Sequence, residues 1–192
     1  APHATVYARL EDMLADPRVE VVSVVTPNHL HRDAVLAAFA AGKHVLCEKP
    51  PAMSLADTDR MIAAAREARR KFGIFVQCRM REPIRQIKKA IEAGRFGRIL
   101  RIDAVMKWFR TSAYYRSDAW RSDRRSGAGV TIQLAFHYID LLSYLMGKAD
   151  RVQARMANLA HPEVPIEDTL DASIHFANGV VGSVAASTAL WP

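Results

Sequence analysis

Long apolar runs are missing from this sequence, and so is a secretory leader. No stretch approaches the roughly 20 residues that span a bilayer, and Ala1-Pro2-His3-Ala4 has neither a basic start nor an apolar core. Neither a membrane nor export is expected, and the cytoplasm is the compartment these features point to. Cysteine is scarce: Cys47 and Cys78 are the only two. Both close predicted strands and read as buried apolar thiols, with no disulfide expected. The seven histidines show no zinc-like spacing, since His29-x-His31 lacks a second ligand pair, so no metal is expected. Glycine is sparse too, and none precedes Val21.

What the chain does have is an ordinary globular composition and an excess of positive charge. Half of its 192 residues are hydrophobic, 24% are charged, and the formal net charge is +7. Arginines and lysines gather at Arg66, Arg69, Arg70 and Lys71, from Arg79 to Lys89, and at Arg121, Arg124 and Arg125. Such a surplus attracts anions, from nucleic acid to a phosphorylated substrate or a dinucleotide pyrophosphate. The linear sequence shows no aromatic–basic stacking motif, so nucleic acid is not the expected partner.

Residues 5–15 carry Val6, Leu10, Met13 and Leu14 at helical spacing, and Asp16-Pro17 ends that helix. Val21 to Val25 is a β-branched run that suits a parallel strand covered on both faces. Thr26-Pro27-Asn28 breaks it, with Asn28 the expected N-cap of a helix over 29–41 and Gly42 its stop. The cycle repeats with a strand at His44–Cys47 and a helix from Ser54, capped with Asp57, to about Phe72. A third strand is expected over 74–78. Strand, helix, strand, helix, strand implies right-handed crossovers and a parallel sheet whose ligands sit beyond the carboxyl strand ends. The turns holding Asn28, Lys49 and Arg79 are expected along that edge.

After residue 80 the rhythm changes. A basic amphipathic helix is expected over 83–93, with Ile84, Ile87 and Ile91 inward. Alternating strands follow near 100–106, 152–156 and 170–176, and Asn178-Gly179 turns into another at 180–188. A mostly apolar helix over 130–146 carries Gln133, His137, Asp140 and Tyr144 on one stripe, spaced four, three and four. For Asp140, satisfaction by neighbouring backbone is the expected explanation; for His137, a functional one. The fold class expected is α/β: the second half of a Rossmann-type parallel sheet, residues 1–80, then an α+β domain with a mainly antiparallel open sheet, residues 81–192.

Several short stretches together resemble the glucose–fructose oxidoreductase and myo-inositol dehydrogenase family, Gfo/Idh/MocA. They are Thr26-Pro27-Asn28-x-x-His31, Ala41-Gly42-Lys43-His44-Val45-Leu46-Cys47-Glu48-Lys49-Pro50, Arg79, Gly94-Arg95-Phe96-Gly97, Trp120-Arg121, Gly127-Ala128-Gly129, His137-Tyr138-Ile139-Asp140, Glu167-Asp168 and Asn178-Gly179. The resemblance covers essentially the whole chain, and the stretch holding Glu48-Lys49-Pro50 is its most specific part.

The resemblance implies a domain binding NAD or NADP, a sugar, polyol or sugar-derivative substrate, and homo-oligomers formed through the C-terminal sheet. It makes Lys49 and His137 catalytic, and Gln133, Arg79 and Tyr115 substrate contacts. Thr26, Pro27, Asn28, His31, Glu48, Lys49, Trp120 and Arg121 become cofactor contacts. The chemistry suits a lysine: oxidising an alcohol releases a proton as well as a hydride, and an ammonium partly desolvated beside a cationic nicotinamide has its pKa lowered toward neutrality.

Two departures qualify this. The inositol-dehydrogenase branch has an aspartate four residues before the histidine, where this chain has Gln133, which cannot act as a base. The Trp120–His137 segment is more similar to the branch oxidising UDP-N-acetylglucosaminuronate. Second, the sequence contains no G-x-G-x-x-G turn for a pyrophosphate. On the resemblance, the chain is expected to be incomplete at both ends, with Val21–Val25 at an unpaired edge, unstable alone and a poor dinucleotide binder. Two alternatives stand beside the dehydrogenase: a redox-assisted glycosidase of the same family, and a non-catalytic relative or scaffold.

Overall fold

The computed structural model describes residues 4–191. They fall into two compact units, divided between Phe75 and Val76.

In the first unit β1 (Val21–Val24), β2 (His44–Glu48) and β3 (Phe72–Phe75) pair in parallel, in that order. Helices α2 (His31–Ala40) and α3 (Leu55–Glu67) are the crossovers. Val22, Val24, Val45 and Cys47 pack into one core with Val35 and Phe39 of α2 and Met61 and Ala65 of α3. Val21 and Val25 are exposed, so the apolar run of β1 is buried on one face, not on both as its composition suggests.

Local chemistry sets the element ends. Helix α1 spans only Leu10–Ala15, shorter than expected. The Tyr7 hydroxyl donates to Asp16 beyond the helix end, and this cross-link competes with helical winding at residue 7. Asn28 is not an N-cap: the Leu30 N–H donates to the Pro27 carbonyl at 2.8 Å, closing a 3-10 turn over Asn28–Leu30, and α2 starts at His31. Helix α3 does have the expected cap, with the Asp57 N–H donating to Ser54 Oγ at 3.1 Å. It ends before Phe72 because Arg69 turns left-handed at φ 53°. The third strand therefore begins and ends earlier than its apolar run implied, and Gln77–Met80 winds a 3-10 turn.

The second unit holds a four-stranded sheet in the order β4 (Arg101–Lys107), β7 (Val181–Ser187), β6 (Thr169–Phe176), β5 (Ala149–Ala157). β5, β6 and β7 pair antiparallel, and β4 joins β7 in parallel. Gly179, at φ 86°, makes the tight return from β6 to β7. Edge strand β5 lacks the expected one-sided burial, with Val152 and Met156 both 58% exposed.

Helix α4 (Glu82–Glu92) packs Ile91 against the core but leaves Ile87 exposed. α5 is a short turn of helix, Ser112–Arg116. The expected long helix is two segments: a wider π-helix over Val130–Ala135, then α6 (Phe136–Met146). Val130, Ala135, Leu142 and Met146 bury one side against Met106, Leu170, Ile174 and Val184 of the sheet.

Candidate functional site

Parallel pairing puts the carboxyl ends of β1 and β2 side by side, with Val24 opposite Cys47. Thr26-Pro27-Asn28 and Glu48-Lys49 thus leave the same sheet edge, where an open parallel sheet receives ligands. Thr26 and Pro27 are exposed, while Asn28, Glu48 and Lys49 are half-buried. The Glu48 carboxylate accepts the Lys49 N–H at 3.2 Å, which fixes the backbone where Lys49 departs. The Lys49–Pro50 peptide is cis. Burial, reinforced by the Glu48 charge, pushes the Cys47 thiol up to about 12, so it remains neutral packing.

His31 does not line this edge. It is fully buried, with Nδ1 2.8 Å from the Pro50 carbonyl and Nε2 2.8 Å from the Thr26 carbonyl. Both polar atoms of the ring are spent on backbone, so the side chain lies behind the two turns and joins them. The expected direct cofactor contact at His31 is thus replaced by two backbone contacts, to the Pro50 and Thr26 carbonyls.

In the second unit Gln133 lies in the π-helix and His137 in the first turn of α6, both half-buried. π-helical turns recur at functional positions because they re-aim side chains. The turn's start is set by Gly129, at φ 118°, where a Cβ would overlap the Glu167 carboxylate. That carboxylate accepts the Thr131 N–H at 3.1 Å and so caps the helix start.

The other half of the stripe is taken up by cations. Asp140 is satisfied by a side chain and not by neighbouring backbone: Arg79 grips it with both Nε, at 2.8 Å, and a second nitrogen. The Arg79 guanidinium also lies 5.1 Å from the Tyr144 ring centre, with Lys88 5.4 Å from the same ring. Arg79 is thus held by α6.

Tyr115 belongs to a small core with Ala128, Val164 and Ile166; it is 4% exposed, and its hydroxyl lies 2.7 Å from Thr188 Oγ1. Burial raises its pKa, so it stays a neutral phenol. Tyr115, expected as a substrate contact, is thus buried inside this unit.

Around it the fold builds a basic–aromatic stack that the linear sequence did not display. Arg110 lies over Trp108 and Tyr114, at 5.7 and 5.1 Å, and Arg121 lies over Tyr114 and Trp120, at 4.6 and 4.5 Å. The residues that form it are scattered from 108 to 121, which hides the pattern in one dimension.

Sequence reading also missed His161 and Asp168. The His161 ring sits between Asp168 Oδ2, 2.9 Å from Nδ1, and the Arg110 carbonyl, 2.8 Å from Nε2. The signal was one acidic residue in Glu167-Asp168, whose partner lies in an irregular loop. Among the described residues there is no cluster of three or more metal-type ligands and no helix long and apolar enough to cross a membrane.

A parallel sheet with Lys49 at its carboxyl edge, followed in the chain by an α+β sheet unit, is the pattern of part of a Rossmann-type domain and a second domain. A profile described as "Oxidoreductase family, NAD-binding Rossmann fold" matches residues 1–76, and the "GFO/IDH/MocA C-terminal domain" profile matches 84–192. The chain belongs to the Gfo/Idh/MocA family. It is 34% identical over 174 residues to the 1,5-anhydro-D-fructose reductase of Ensifer adhaerens, covering 90% of this chain and 51% of the relative. To the levoglucosan dehydrogenase of Pseudarthrobacter phenanthrenivorans it is 32% identical, covering 91% and 51%. Among solved structures it matches the WlbA dehydrogenase from Bordetella pertussis, in complex with NADH and UDP-GlcNAcA, at TM-score 0.90 and 34% identity, over 97% of this chain and 54% of that one. The chain spans about half the length of the relatives it matches.

Proposed function

We propose that this chain carries part of an NAD(P)-dependent dehydrogenase that oxidises a hydroxyl-bearing carbon of a sugar, polyol or sugar derivative. The observation that carries the reading is Lys49, half-buried at the carboxyl edge of a parallel sheet beside the Thr26–Asn28 turn. Thr26, Pro27, Asn28 and Glu48 are proposed to line the cofactor, because their turns leave the same carboxyl edge of the sheet. A nicotinamide bound there would supply the hydride-accepting chemistry. The remaining task for the chain is the proton, and Lys49 is its proposed acceptor. In the second unit His137 and Gln133 are proposed to orient the substrate. Gln133 can donate and accept a hydrogen bond but cannot take a proton.

A sugar nucleotide is the finer proposal for the substrate, supported by the amide at Gln133, by the net positive charge, and by the likeness to a dehydrogenase crystallised with UDP-GlcNAcA. Arg121, held between Tyr114 and Trp120, is proposed with Trp120 to contact the cofactor. The polar outer face of the β4–β7–β6–β5 sheet, where Arg101 pairs with Asp103 at 2.8 Å, is the proposed surface for a second copy.

The test uses the natural full-length protein with NAD or NADP and a panel of sugars, polyols and UDP-sugars. Net formation of reduced nicotinamide is the expected result. Lys49→Met should lower kcat by about 10²–10⁴, the range for losing a positioned acid–base group. Unchanged turnover in that variant would remove Lys49 from the chemistry. Product released without net reduction would instead mark a redox-assisted glycosidase.

A further inference from the structure

His31 offers two polar atoms, and both face acceptors. Pro50 O lies 2.8 Å from Nδ1 and Thr26 O lies 2.8 Å from Nε2. A backbone carbonyl can only accept. A neutral imidazole has one N–H and one lone pair, so it could serve one of these oxygens and would turn a lone pair on the other. At zero exposure no water relieves such a clash. Two donors are needed, and a ring donating from both nitrogens is the imidazolium cation.

We infer that His31 is a positioning residue for Lys49: a doubly donating imidazolium that ties the Thr26 turn to the Pro50 turn. Its two ends serve different parts of the site. The Nε2–H holds the carbonyl of Thr26, at the start of the turn proposed to meet the nucleotide. The Nδ1–H holds the carbonyl of Pro50, the residue that follows Lys49. With Glu48 holding the Lys49 N–H from the other side, the lysine's backbone is pinned both before and after it. The role rests on the proposed chemistry of Lys49, whereas the protonation state of the ring does not.

Two isosteric substitutions separate the ends. The amide nitrogen of asparagine overlays Nδ1 and that of glutamine overlays Nε2. His31→Asn therefore keeps the donor to Pro50, and His31→Gln keeps the donor to Thr26. In the natural full-length enzyme, His31→Gln should lower kcat about tenfold or more, since a catalytic group displaced by about 1 Å can cost about 10² in rate. Its nucleotide KM should stay within about threefold. His31→Asn should do the reverse, raising nucleotide KM about tenfold with kcat nearly kept. A merely structural histidine would move kcat, KM and melting temperature together in both variants, and that result overturns the positioning role.

The protonation state is read without turnover, from nitrogen NMR of the wild-type protein with labelled histidine. Both His31 nitrogens should give N–H signals coupled to exchangeable protons. One lone-pair nitrogen at that ring overturns the imidazolium. If Lys49→Met proves fully active while both nitrogens are protonated, the failure lies in the proposed chemistry and not in the clamp.

Discussion

Two buried histidines do the same geometric job in the two units with different electrostatics. His31 and His161 are 0% and 3% exposed, and each ring has an oxygen within 2.9 Å of both nitrogens. Around His31 both oxygens are neutral carbonyls. Around His161 one is the Asp168 carboxylate, which is satisfied further by the N–H groups of Leu159 and Ala160 and the Thr169 hydroxyl. The His161 clamp therefore pairs with a carboxylate, joining the Arg110 carbonyl after β4 to the loop before β6. The His31 clamp hydrogen-bonds only neutral groups and stands behind the turns that hold the candidate chemistry. On this contrast the His161 clamp is expected to serve stability and the His31 clamp the proposed site.

That contrast predicts unequal costs. His161→Leu leaves the Asp168 carboxylate buried, with its side chain 1% exposed and its imidazole partner gone. Breaking such a pair costs about 3–5 kcal/mol, and the denaturant midpoint of the second unit should fall accordingly. His31→Leu leaves two carbonyls unpaired but no stranded charge, so the loss should be about 1–3 kcal/mol per carbonyl, partly relieved by relaxation of the turns. Turnover should respond in the opposite order, strongly in His31→Leu and weakly in His161→Leu when both are assayed below their melting temperatures. Equal stability losses in the two variants would erase the distinction.

A smaller effect separates them by pH. Burial alone would push the Asp168 carboxyl up, but the N–H groups of Leu159 and Ala160, then His161 and the Thr169 hydroxyl, outweigh it and hold it below its ordinary value. The folded pKa is thus depressed, so the unfolded chain binds the proton more readily. Stability from this group is present above the ordinary carboxylate range, near about 4, and is lost as pH falls through the depressed native value. Wild-type urea midpoints should drop on acidification toward pH ~3. In Asp168→Asn the midpoint should start lower and lose less. A parallel drop in both proteins would show that other carboxylates set the acid limb.

Where sequence reading succeeded and failed follows from the range of the forces involved. The alternation of strand and helix, the Ser54–Asp57 cap and the Gly179 return depend on neighbours a few residues apart, and all were legible. The break of the apolar 130–146 run into π- and α-helical parts was not, because it involves Glu167 packed against Gly129 from far along the chain. His31 looked like a ligand contact because its motif placed it near a turn. Only the fold shows that its ring points inward to two carbonyls, one of them 19 residues away. Asp140 was matched to local backbone for the same reason: Arg79 stands 61 residues earlier. Lys49 came from the family resemblance, and the strand order adds only that it follows β2 at the carboxyl edge of the sheet.

Arg79–Asp140 supplies the smallest effect and a control on both histidine clamps. It is also a bidentate cation–carboxylate pair, but its arginine side chain is 42% exposed and its aspartate 11%. Solvent screening should reduce it to at most about 1 kcal/mol, the usual ceiling for an exposed pair. Arg79→Met should therefore move the denaturant midpoint far less than His161→Leu, although both remove a hydrogen-bonded partner from a carboxylate. The same variant also tests the proposed substrate role of Arg79. A guanidinium already gripping Asp140 can still present its remaining N–H groups to an anionic substrate, because the fork has five. If it does, substrate KM in the full-length enzyme should rise about tenfold, the equivalent of one charge-assisted hydrogen bond, at nearly constant stability. A substrate KM within twofold of wild type would confine Arg79 to pairing with Asp140 and leave substrate orientation to Gln133 and His137.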